Sequence, residues 1–127
     1  MWKMRFMLLQ NYGEVVSGCP SMDQWSPADI RAHIVFQQTM NQELTESGEL
    51  VDAQGLAGPD QAKFVVWDGA STPVITDGPY SESKELLAGY RLIDVSSLER
   101  ALEIAAKASA APAFNGEPVM QPIEVRQ

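Results

Sequence analysis

The sequence predicts an α+β domain in which two helices cover one face of an antiparallel sheet. Three observations point there. Residues 26–47 and 96–110 carry helix punctuation around a 3.6-residue apolar period. β-rich runs at 4–10, 63–67, 73–76, 86–95 and 119–125 surround them, giving the order β-α-β-β-β-α-β. A chain of 127 residues, 45% apolar and 20% charged, suits one globular domain with a real core and is too short for two.

Each element has its own warrant. Met4, Phe6 and Leu8 alternate with Met7 and Leu9, so the first strand is apolar on both faces. Asn11-Tyr12-Gly13 ends it, and residues 14–25 form a loop without clear period. Ser26-Pro27-Ala28-Asp29 starts a helix, with Ser as N-cap, Pro at the first helical position and an acid three residues after the cap. Ile30, His33, Phe36, Gln37, Met40 and Leu44 share one face, and Ser47-Gly48 stops the helix with Gly in the left-handed C′ conformation. After Leu50 and Val51 the chain turns loop-like through Gly55, Gly58 and Pro59.

Lys63 to Trp67, the Asp68-Gly69 turn and Pro73 to Thr76 read as a hairpin at a sheet edge, where proline is tolerated. Leu86 to Val95 is a long strand, again apolar on both faces. Ser96 and Ser97 offer caps for the second helix, and Ser96 with Glu99 forms a capping box. Leu98, Ala101, Leu102, Ala105 and Ala108 line one side of it, and Val119 to Val125 is the last strand. The arrangement is ferredoxin-like. Strands apolar on both faces, with helices for only one, predict that a second copy covers the other, in an isologous homodimer.

Charge excludes several function classes. The net charge is −8, the pI is about 4.5, and the basic residues are scattered. Nucleic-acid surfaces and anionic membranes both need basic clusters, so neither partner is expected. No apolar run reaches the roughly 20 residues of a membrane span, and the short apolar N-terminus reads as a strand rather than a signal segment. A single Cys19 allows no internal disulfide, which fits a cytoplasmic setting, though Cys19 can cross-link two copies on oxidation.

The segments Met4 to Leu9, Leu44 to Leu56, Val74 to Glu85, Leu87 to Val95, Leu98 to Ala106 and Ile123 to Arg126 together resemble the YCII-related family, in its DGPF-domain branch. Tyr80 stands where the naming motif has phenylalanine. The resemblance implies a dimeric α/β barrel fold, bacterial origin and a frequent neighbourhood with extracytoplasmic-function sigma factors. It implies no established activity. A His–Asp pair is proposed as catalytic in the broader family, and a few relatives act on small cyclic or chlorinated compounds. Lined up on Gly48, the family histidine falls nearer Gln37 than His33, and no aspartate stands close before Gly48.

The candidate chemistry centres on Thr76 to Glu85 and the first helix. Asp77, at a strand end beside Gly78, is a candidate general base or ligand-orienting group; its carboxylate equally suits turn N–H groups. Gly78 and Pro79 are scaffold. Ser81, Ser83 and Lys84 can bind an anion or carboxylate, or form a solvated loop with Lys84 paired to Glu82 or Glu85. His33 is the only histidine, a residue type suited either to proton transfer in a pocket or to a satisfied core position. Gln37, one turn on, reaches the same ligand.

One Cys and one His make no structural zinc site, so no metal or other cofactor is expected. Trp2, Trp25 and Trp67 suit the core or an interface. Two functions follow from these residues. One is a cofactor-independent small-molecule enzyme or binder with its pocket between the first helix and the sheet, using His33 and Asp77. The other is a regulatory accessory protein acting through protein contacts.

Overall fold

A computed structural model describes residues 3–12, 19–20, 22–78 and 86–127. The eight main elements are β1 (Met4–Tyr12), α1 (Pro27–Glu46), β2 (Leu50–Gly55), β3 (Lys63–Val66), β4 (Val74–Asp77), β5 (Leu86–Val95), α2 (Leu98–Ser109) and β6 (Ile123–Arg126). One sheet has the order β2-β5-β1-β6, with every neighbouring pair antiparallel. β3 and β4 form a separate two-stranded sheet. Without that hairpin the order is β-α-β-β-α-β, and β1 runs parallel to β2 with β5 inserted between them. This is the split β-α-β arrangement of the predicted ferredoxin-like fold.

The first helix starts as its sequence demands. Ser26 Oγ accepts the N–H of Asp29, and Pro27 occupies the first turn. At the other end Gly48 has φ of 78°. Phe6, Leu8, Ile93 and Val95 from the central strands pack under Met40 and Leu44 of α1 and Ala101, Ile104, Ala105 and Ala108 of α2. Each large side chain of this core gains roughly 1.5–3 kcal/mol on leaving water. A second cluster joins Trp25 to Ala111, Ala113 and Val119, pinning the α2–β6 loop beside the start of α1.

Four details differ from the sequence reading. Leu50–Gly55 is a full strand, because pairing with β5 satisfies its backbone despite the weak β-formers Asp52, Gln54 and Gly55. It therefore takes the sheet edge, and the β3–β4 hairpin stands outside the main sheet. Ser97, not Ser96, caps α2 by accepting the N–H of Arg100 at 3.1 Å. Ile104 sets the buried face of α2, so Leu98 and Leu102 are exposed. β6 begins only at Ile123, since Met120 has φ of 54° and Pro122 has no N–H to give a ladder.

Among the described residues, no helix is long and apolar enough to cross a membrane. Trp25 is buried, Trp67 is 59% exposed, and Trp2 lies outside the described residues.

Candidate functional site

Side-chain size falls off across the helix-facing side of the sheet, and a cavity opens where it vanishes. The row Leu50–Ile93–Phe6 is filled by large apolar groups. One step on, Ala53–Arg91–Leu8 substitutes a guanidinium for the central aliphatic chain. The next row, Gly55–Gly89–Gln10, has two glycines. Gly89 is required there: a Cβ would sit 2.8 Å from the carbonyl oxygen of Gln54. Helix α1 changes in the same direction, from Leu44 and Met40 to Asn41, Gln37 and His33. Between them lies a cavity of about 400 Å³, also lined by Met22, Leu56 and Gln121.

A string of hydrogen bonds runs along its wall. The Ala113 N–H donates to Glu117 and the Val119 N–H to Ala111, each at 2.8 Å, which fixes the loop carrying Pro112. The Pro112 carbonyl accepts from His33 Nδ1 at 2.8 Å. A carbonyl only accepts, so Nδ1 holds a hydrogen and Nε2 of the neutral ring is left with its lone pair. Gln37 Nε2 donates to that atom at 3.4 Å. The amide is thereby oriented with Oε1 towards Arg91, whose Nη2 donates to it. Arg91 Nε donates to Asn41 Oδ1 at 2.7 Å. The Trp25 ring stands edge-on to the imidazole, 5.4 Å between centroids.

Arg91 dominates the electrostatics. It is 5% exposed, the one charged residue buried among the described residues. Burial alone lowers its pKa, because desolvation disfavours the cation. No ion pair among the described residues includes it; those pairs use Lys63, Arg100, Lys107 and Arg126. Tyr90, next in the strand, has the opposite parity. Its hydroxyl donates to Asp52 Oδ2 at 2.9 Å, which holds that carboxyl below its ordinary range and pushes the phenol up.

The residues singled out from sequence are thus separated. His33 and Gln37 share the cavity wall. Asp77 is on β4, 81% exposed and paired with Lys63 across the hairpin, and is not among the lining residues. Gly78 is scaffold: a Cβ there would lie 2.3 Å from the Phe64 ring. Pro79, Ser81, Ser83 and Lys84 fall outside the described residues. Among the described residues no cluster of three or more His, Cys, Asp or Glu side chains can hold a metal ion.

The model of the YCII-related domain matches residues 4–120. The chain belongs to the YCII-related family. It is also 29% identical over 99 residues to an uncharacterised protein of Rhizobium meliloti (strain 1021), covering 78% of this chain and 79% of that one. The YCII-related match spans every cavity residue except Gln121. Neither comparison names an activity.

Arg91 and Asn41, the polar residues joined to Gln37 in this YCII-related site, were not singled out from sequence, although signals for both existed. Arg91 shares the parity of Gly89, Ile93 and Val95, which places it on the strand's inward face. Asn41 continues the series His33, Gln37 at four-residue spacing, a polar stripe beside the apolar one. Gly55 of the cavity floor gave no such signal, because β2 itself was unrecognised.

Proposed function

We propose that this YCII-related protein is a cofactor-independent small-molecule enzyme or binder whose site is the cavity between α1 and the sheet. The observation that carries the reading is His33. Its Nδ1 is tied to a backbone carbonyl, and its Nε2 lone pair sits on the cavity wall with only a long amide contact to displace. That is the arrangement of a neutral general base.

In the proposed reaction Nε2 takes a proton from an acidic C–H or O–H of the bound molecule. The electron pair stays on the substrate, and the imidazolium returns the proton to another substrate atom or to water. Gln37 orients the base and Asn41 braces Arg91. The reading assigns no step to Asp77.

The experiment is a thermal-shift screen of small-molecule metabolites, since a ligand selective for the folded state raises Tm. Hits are then incubated in D2O and followed by NMR for deuterium uptake. Support is a Tm shift that His33→Ala removes, with deuterium uptake for an enzyme and none for a binder. Hits whose shift survives in both His33→Ala and Gln37→Ala overturn the site assignment.

Protein contacts form the second reading, favoured by one observation. In the hairpin, Val65, Val66, Trp67, Val74 and Ile75 are 59–67% exposed, and the pairs Val65–Ile75 and Val66–Val74 lie on opposite faces. A regulatory partner such as an extracytoplasmic-function sigma factor suits that surface. Homodimerisation belongs to the proposal as well, through the sheet face away from the helices, where Met7, Leu9, Tyr90 and Leu92 lie by alternation and are only half-buried. A scattering mass of one chain at micromolar concentration refutes it.

A further inference from the structure

We infer that the cavity ligand carries a carboxylate and that Arg91 is its receptor. This rests on the small-molecule reading of the same cavity and names the chemical class the cavity takes.

Arg91 is held in an environment that contradicts a purely structural role. A guanidinium offers five N–H donors, and the structure uses two of them, on Gln37 and Asn41. Both acceptors are neutral amides, so among the described residues the positive charge is braced without being compensated. No fully buried side-chain N or O among the described residues lacks a partner. The remaining guanidinium edge therefore meets the cavity that Arg91 lines.

A buried charge is expensive unless an opposite charge answers it. An aliphatic side chain at position 91 would continue the row of Ile93 and Val95 at no such cost. The uncompensated cation is best explained by a counter-charge that arrives with the ligand. A planar carboxylate matches the free fork, with two parallel N–H···O bonds.

The rest of the cavity narrows the class. Gln10 and Gln121 offer neutral polar contacts, and Met22 and Leu56 offer apolar ones. None of these side chains adds a second positive charge, as a phosphate or dicarboxylate would favour. Backbone at Gly55 and Gly89 forms a floor on which a flat molecule can lie. The imidazole lone pair is one carboxamide away from the guanidinium along the hydrogen-bond string. A small organic monocarboxylate bound at Arg91 thus presents the atoms just beyond its carboxylate to His33. Arg91 also answers the negative charge that forms if those atoms lose a proton.

The test uses the isotope-labelled full chain and simple probes. Acetate and benzoate, with acetamide and benzamide as neutral isosteres, are titrated while the Arg91 Nε–H and His33 ring resonances are followed by NMR. Expected is saturable movement of both signals with the acids, and at least tenfold weaker effects with the amides. Arg91→Met should abolish the acid response at His33 while retaining the fold. Arg91→Lys, which keeps charge but loses the fork, should weaken it at least tenfold.

Equal responses to acids and amides, or acid binding that survives Arg91→Met, overturn the carboxylate assignment and leave the pocket reading standing. No movement of Arg91 Nε with either acid also overturns it. The pocket reading itself fails separately, in the metabolite screen, when hits bind elsewhere.

Discussion

Replacing Gln37 by glutamate isolates the central claim about Arg91. Gln37→Glu keeps the length and the Oε1 acceptor facing the guanidinium but supplies the missing negative charge. A hydrogen bond between neutral groups contributes about 1 kcal/mol net, and one to a charged group about 1.5–3. Arg91 is only 5% exposed, so solvent screens the new pair weakly. Against this stand the desolvation of the carboxylate and the loss of the 3.4 Å Gln37–His33 contact, which an ionised glutamate cannot donate. The expected balance is about 1–2 kcal/mol of added stability. With an unfolding entropy of roughly 2.1 cal/mol/K per residue, that is a rise in Tm of about 4–7 °C for a chain of this length.

The gain has a defined pH dependence. Beside Arg91 the new carboxyl titrates below its unfolded value of about 4.3. The increment is therefore fully present above that value and declines as pH falls through the lower folded one. The assay is thermal or urea unfolding of both proteins at pH 7 and pH 3, together with the benzoate titration. The variant should be more stable at pH 7, less advantaged at pH 3, and blind to benzoate. A variant less stable than the parent at pH 7 refutes the reasoning, since it means that Arg91 does not lack a counter-charge.

Three further expectations concern other parts of the molecule. Arg100 grips Glu49 through two bonds of 2.8 and 2.9 Å, tying the start of β2 to α2. The grip lowers the Glu49 pKa, chiefly through the Arg100 hydrogen bonds, and Arg100 is 39% exposed. Glu49→Gln should cost about 1–2 kcal/mol at neutral pH after solvent screening. The cost should be present above about pH 4.3 and shrink as acid protonates Glu49 in the parent; a cost unchanged at pH 3 in urea unfolding counts against the bridge. Gly78→Ala forces a methyl into the Phe64 ring and should destabilise the hairpin by about 1–3 kcal/mol, read as faster amide exchange in β3 and β4. Val65→Lys with Ile75→Glu removes exposed apolar surface without touching the main core. It should lower self-association in light scattering and leave Tm within about 2 °C.

What the sequence disclosed follows from which interactions are local. Ser26, Pro27 and Asp29 set the start of α1 within one turn, and Gly48 sets its end, so that helix was legible almost to the residue. β2 was not, because its warrant lies in β5, some forty residues away, whose free backbone edge overrides the poor propensity of Asp52, Gln54 and Gly55. The same distance dependence divides the candidate site. His33 and Gln37 were visible as polar breaks in an apolar helical stripe. Asp77 drew attention through local turn chemistry, and local chemistry is what it performs, pairing with Lys63 across a hairpin.

Arg91 lies at the join between the two kinds of information. Parity along β5 is local and places it inside; that no described carboxylate pairs with it becomes visible only when β1, β2 and α1 are assembled around it. A buried cation braced by two amides has its geometry fixed before any ligand arrives, which lowers the reorganisation that binding an anion requires. If filling the site with a glutamate raises stability, the parent chain is less stable than its own fold allows, at the residue that faces the cavity. Stability forgone at one buried, pocket-facing charge is the physical signature of selection for binding rather than for folding. That outcome would favour a site at the row Ala53–Arg91–Leu8, beneath His33 and Gln37, over one at Asp77 in the hairpin.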